Sequence, residues 1–137
     1  MKYIVVDASL WVARLVPQDD FHTAVRTWMD ACRAKEIEFL APALLLAEAA
    51  GAIARRTRDT DLARQAVDTL EHLPGLRLVE MNRALLREAA QLAAELGLRG
   101  ADSTYVAVAS RLNLPLATLD SDQRERAEKR IPIQSIE

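Results

Sequence analysis

Four carboxylates in this chain could do chemistry: Asp7, Glu48, Asp102 and Asp120. Carboxylate oxygens without His or Cys beside them are hard donors, suited to Mg²⁺ or Mn²⁺ rather than Zn²⁺. An ion held this way activates water and steadies the oxygens of a phosphodiester under attack. The chemistry on offer is therefore metal-assisted cleavage of nucleic acid. Taken singly, each acid has a plainer explanation. Asp7 and Asp120 each follow a short apolar run, where an Asp also caps a helix or begins a turn. Asp102 opens an apolar helix, so capping alone would account for it. Glu48 is harder to dismiss, because Leu44, Leu45, Ala49, Ala52 and Ile53 surround it in sequence and an unpaired buried carboxylate is costly. An arginine partner or a solvent-facing stripe is the alternative. Asp122, two residues beyond Asp120, either joins the cluster or decorates a polar loop.

Elements of regular structure must bring these acids together. Tyr3-Ile4-Val5-Val6 is a continuous β-rich run, the pattern of a strand buried on both faces of a parallel sheet. Helices are expected over residues 8–15, broken at Pro17, and over 21–34. A second strand is expected at 38–40, then a helix with Pro42 in its first turn and a basic end at Arg55, Arg56 and Arg58. A helix over 61–73 stops at Pro74-Gly75, and 76–79 reads as a third strand. Helices at 83–96, closed by Gly97, and at 100–112 follow, then a strand over 116–119 and a last short one within 131–136. This alternation predicts one α/β domain over residues 1–137, a three-layer α/β/α sandwich with a mostly parallel central sheet. In such sheets ligands bind beyond the carboxyl ends of the strands, where Asp7 and Asp120 fall.

Composition narrows the function classes. The 137 residues are 50% hydrophobic and 28% charged, which sets aside disordered and collagen-like chains. With 18 Lys and Arg against 20 Asp and Glu, the formal charge of −2 argues against the broad basic grip of a pure DNA-binding module. A metal-dependent nuclease needs local negative charge, so it survives this test. The apolar stretch at 41–54 is interrupted and short of the roughly 20 residues that span a bilayer. The amino terminus lacks the order of a secretory leader, so a cytoplasmic protein with no membrane partner is expected. Cys32 is the single cysteine and serves packing. Only four glycines are present, and the Gly-rich fingerprints of dinucleotide or P-loop sites are missing. A receiver-type module would want an adjacent acidic pair, and an aspartyl phosphatase a second acid where Ser9 stands. Arg14, Arg55, Arg56, Arg58 and Arg99 are candidates for phosphate contacts. Trp11, Trp28 and Tyr105 read as core or interface.

The segments Ile4-Val5-Val6-Asp7-Ala8-Ser9, Leu46-Ala47-Glu48-Ala49-Ala50, Ala101-Asp102-Ser103-Thr104-Tyr105 and Leu116-Ala117-Thr118-Leu119-Asp120, in this order and spacing, resemble a PIN-domain ribonuclease. Within that family the chain looks like a VapC-type toxin of a toxin–antitoxin pair. The resemblance implies that Asp7, Glu48, Asp102 and Asp120 are the metal-binding acids, with Ser9 near the site and Asp122 an accessory ligand. It also implies Mg²⁺ or Mn²⁺ as cofactor, RNA as substrate, a homodimer, and a small antitoxin that blocks the acidic pocket. Gly51 and Ser103 depart from the residues that relatives often carry, which bears on pocket shape. A catalytically inactive PIN-like scaffold or a receiver-type binding module is the competing expectation.

Overall fold

A computed structural model describes residues 2–137. Four strands, β1 (Tyr3–Val6), β2 (Glu38–Pro42), β3 (Leu76–Val79) and β4 (Leu116–Ala117), form one sheet in the order β3-β2-β1-β4. Every pairing in it is parallel. The helices are α1 (Ala8–Leu15), α2 (His22–Ala34), α3 (Leu45–Thr57), α4 (Thr60–Glu71), α5 (Arg83–Leu96), α6 (Gly100–Leu112) and α7 (Ser121–Ala127). The α/β sandwich anticipated from alternating patterns is the observed fold.

The chain reaches β2 and then β3 on one side of β1, and crosses back to lay β4 on the other side. Right-handed crossovers in opposite directions put their helices on opposite faces of a sheet. The helices accordingly fall into two groups. In one, α1 packs on α2 and α3, and α3 on α4; in the other, α5 packs on α6, which lies along β1, β2 and β4. Phe39 of β2 receives the first group, with the Trp11 ring edge-on and the Trp28 ring stacked, both centroids 5.7 Å away. The expected core role of both tryptophans is met. Central β1 is buried at Ile4, Val5 and Val6 because helices cover both of its faces.

The topology makes a crevice where β1 and β4 part company, since the chain leaves these neighbours in opposite directions. Three boundaries differ from expectation. β2 runs on to Pro42, which pairs with Val79, so α3 starts at Leu45 instead of near Pro42. A proline is tolerated at the end of a strand, where its missing N–H leaves little unpaired. β4 stops at Ala117, which pairs with Val6, the last residue of β1. The segment expected as a last strand makes a single parallel bridge, Leu116 to Ile133. The seven-residue α7 differs from expectation: Ala127 is its one apolar residue, and Gln123 and Ala127 are its buried ones.

Candidate active site

Asp7 follows β1 and N-caps α1, accepting from the Ser9 N–H at 3.1 Å and the Ser9 hydroxyl at 2.7 Å. The Thr118 hydroxyl lies 3.2 Å from the same oxygen, Oδ2. No hydrogen bond reaches Oδ1 from the described residues. Capping explains one contact of this carboxylate, yet Asp7 is 5% exposed, far more buried than a cap requires. Ser9 is itself tied down: its Oγ accepts from the Leu119 N–H at 3.0 Å, which joins the start of α1 to the end of β4. The structure thus gives Ser9 the work of orienting Asp7.

Asp120 follows the β4 turn and N-caps α7, its Oδ1 accepting from Asp122 N–H at 2.9 Å and Gln123 N–H at 3.1 Å. Asp102 is different from both. The residue at the N-cap position of α6 is Arg99, which makes no side-chain cap, and Asp102 sits inside the first turn. Its carboxylate accepts no hydrogen bond from the described residues, so capping does not account for it.

Glu48 lies in the first turn of α3, half-buried beside the packed face of Leu45, Ala49 and Ile53. Its partner is Tyr105 of α6, whose hydroxyl donates to Oε1 at 2.7 Å. No arginine pairs with this acid among the described residues. A phenol holds the carboxylate in place without cancelling its charge. Tyr105 is fully buried, and burial together with Glu48 pushes its own ionisation far above the usual phenol range. Tyr105→Phe is expected to lower stability by about 1–2 kcal/mol in denaturant unfolding, since it strands a half-buried acceptor of a charge-assisted bond.

The four acids come from four different elements and feel one another. Asp102 is raised from 3.8 to about 6, first by burial and then by repulsion from Asp7, Asp120 and Glu48, with Arg99 pulling the other way. Glu48 is raised as well, by burial first and also by Asp7, while the Tyr105 hydroxyl opposes the shift. Among the described residues no three His, Cys, Asp or Glu close up tightly enough to enclose an ion. The acids share one electrostatic neighbourhood without forming a closed cage. Between pH 4 and 6 the folded state therefore binds more protons at Asp102 than the unfolded chain does. Metal-free stability should fall as pH rises across that window and level off above it. Urea melts from pH 4 to 8 check this, and Asp102→Asn is expected to flatten the slope.

A cleft of about 960 Å³ opens from this place, lined by Ser9, Leu119 and Asp120 at one end and by Arg56, Asp59 and Leu62 at the other. Asp19 and Asp20 also face it, so acids outnumber the one arginine. Arg56 is held by an ion pair with Asp19, which links the α1–α2 loop to the end of α3. Of the other arginine candidates, Arg99 bears on Asp102, and Arg14 lines a separate small pocket with Trp11 and Met29. Arg55 and Arg58 are exposed. Asp122 turns outward, its carboxylate 3.0 and 3.1 Å from Arg126 Nε one helical turn on. Sequence reading passed over Tyr105, Thr118 and Gln123 as parts of the site. With one apolar residue in α7, no periodicity marked Gln123 as core-facing.

At the level of whole sequences, no curated protein matches the chain. Solved structures do. VapC20 of Mycobacterium tuberculosis, described as a sarcin-ricin loop cleaving toxin, superposes with a TM-score of 0.77 at 19% identity, covering 96% of this chain and 99% of its own. FitAcB from Neisseria gonorrhoeae gives 0.70 at 21% identity, covering 97% of each chain. VapBC2 from Rickettsia felis, solved with a DNA fragment from its promoter, gives 0.72 at 13% identity, covering 96% and 97%. At such identities the likeness is one of fold. The family assignment comes from the sequence itself: the PIN domain model matches residues 4–129 and spans all four acids, and this chain belongs to the PIN domain family.

Proposed function

We propose that the chain is a metal-dependent endoribonuclease and the toxin of a type II toxin–antitoxin pair, with Asp7, Glu48, Asp102 and Asp120 holding Mg²⁺ or Mn²⁺. The observation that carries this reading is the convergence of those acids from four elements: burial first, and then repulsion from Asp7, Asp120 and Glu48, raises Asp102 to about 6. Buried charges are typically paired or bound to metal, and no cationic side chain forms an ion pair with any of the four among the described residues. The donor set fits: all oxygen, with Asp7 Oδ1 free of partners among the described residues while the Ser9 N–H, the Ser9 hydroxyl and the Thr118 hydroxyl gather at Oδ2. An open arrangement also suits Mg²⁺, which keeps several waters and takes one or two carboxylates plus substrate phosphate. When bound, the ion would supply an activated water and neutralise charge on the phosphate.

The chain's own residues do the rest. Ser9 and Thr118 aim Asp7, and Tyr105 fixes Glu48. Glu48 or Asp102 orients or deprotonates the attacking water, a task suited to a carboxyl whose pKa has been raised toward neutrality. Asp122 would have to leave Arg126 to serve as a ligand. One contiguous hydrophobic core supports reading residues 1–137 as a single domain. RNA as substrate, a homodimer and a small antitoxin partner are carried over from the family resemblance, and the neighbour described as a sarcin-ricin loop cleaving toxin supports the substrate class. A cleft rich in Asp suits a basic antitoxin segment as inhibitor. No described helix is long and apolar enough to cross a membrane.

The test is incubation of mixed RNA with the purified protein in Mg²⁺, Mn²⁺ or EDTA. Internal cuts that vanish with EDTA support the reading. Cutting that survives chelation would sink the metal mechanism, and no cutting of any RNA would favour an inactive scaffold.

A further inference from the structure

Around Asp7 one hydrogen-bond account fails to close. Thr118 Oγ1 lies 3.2 Å from Asp7 Oδ2 and 3.1 Å from Gln123 Oε1, and it accepts the Asp120 N–H at 3.1 Å. A carboxylate oxygen and an amide oxygen only accept, and a hydroxyl carries one proton. Thr118 cannot donate to both. Meanwhile Gln123 Nε2, on a residue 1% exposed, is buried with no partner. Amide oxygen and nitrogen are told apart by their hydrogen bonds. Exchanging the two removes the first fault and eases the second: Nε2 donates to Thr118 Oγ1, which accepts twice and sends its proton to Asp7. The dry position left over then falls to a carbonyl oxygen, which tolerates it better than an N–H.

A structural reason for the glutamine is also lacking. Gln123 and Ala127 are the buried residues of α7. An aliphatic side chain would fill the same space without any amide to satisfy.

We propose that Gln123 is a positioning residue, whose side-chain N–H fixes the Thr118 hydroxyl as a donor to Asp7 Oδ2 and so leaves Asp7 Oδ1 turned to the cation. This rests on the reading of Asp7 as a metal ligand. The chain of contacts runs from α7 through the β4 turn to the end of β1, all within buried side chains. It makes α7, otherwise a short polar helix, part of the metal-holding apparatus.

Two measurements test it. In the wild-type protein, nuclear Overhauser contacts should run from the Gln123 side-chain amide protons to the Thr118 side chain. Their absence, with the amide protons directed elsewhere, overturns the proposal without any variant. Calorimetric Mn²⁺ titrations then compare wild type, Gln123→Met, Thr118→Val, the double variant and Asp7→Asn. Loss of a partner behind a ligand typically weakens metal binding about 10–100-fold, and that loss is expected for Gln123→Met. The double variant should be no weaker than Thr118→Val alone, because both act through one hydroxyl. Mn²⁺ affinity unchanged in Gln123→Met while Asp7→Asn loses it defeats the positioning role and spares the metal site. Unchanged affinity in Asp7→Asn defeats the reading of Asp7 itself, and the positioning role with it.

Discussion

Asp7→Asn is expected to lower RNA cleavage in Mg²⁺ by at least about 10³-fold while leaving the fold intact. The prediction separates two roles that one residue holds. As the N-cap of α1, Asp7 accepts from the Ser9 N–H, and asparagine is as good a cap as aspartate. A purely structural Asp7 would therefore tolerate the change. As a ligand it contributes a full negative charge at a site of low solvent access, and an amide oxygen contributes only a dipole. The charge stabilisation supplied through a bound ion amounts to several kcal/mol, and each 1.4 kcal/mol is about tenfold in rate. Metal-free stability should hold or rise, since one of the charges that repel Asp102 and Glu48 is gone. Initial rates on a defined RNA, with urea melts of the same samples, check both halves. A variant that keeps wild-type activity would return Asp7 to the role of a cap.

The second large effect is on stability. Saturating Mn²⁺ should raise the melting temperature by roughly 10 °C, because a ligand at 100 times its Kd stabilises the native state by about 2.7 kcal/mol. The electrostatic origin sets the pH dependence of the gain. A cation relieves repulsion only where the acids are ionised, so the increment should be small near pH 5 and full above about 6, the range in which Asp102 loses its proton. Thermal melts at several pH values with and without Mn²⁺ decide this. Asp120→Asn should reduce the gain while preserving the cap of α7, by the same logic that holds for Asp7. Equal melting curves with and without the ion would mean that the four acids do not hold it.

Much of this was legible in the chain. The run Tyr3-Ile4-Val5-Val6 announces a strand covered on both faces, and it forms central β1. Local patterns along the chain predict six helices, and α1 to α6 match them to within a few residues, because helical periodicity is a local property written along the sequence. Asp7 and Asp120 were placed at strand ends by the same means, and the PIN pattern tied them to Glu48 and Asp102. Short elements were less visible. α7 holds a single apolar residue, and β4 is only as long as its pairing with Val5 and Val6 of β1, which no local pattern records.

What only the tertiary structure decided is how each acid is held. The cost of a lone carboxylate predicted that Glu48 needs a partner, but that the partner is Tyr105 depends on α3 and α6 meeting across 57 residues. Asp102 was the member explained least by sequence, since a cap was an equal account. In the fold it caps nothing, and burial together with repulsion from the other three acids raises it to about 6. The reason is general: residue types and periodicity record what each segment prefers alone, whereas repulsion, burial and shared protons exist only once separate segments occupy the same few ångströms.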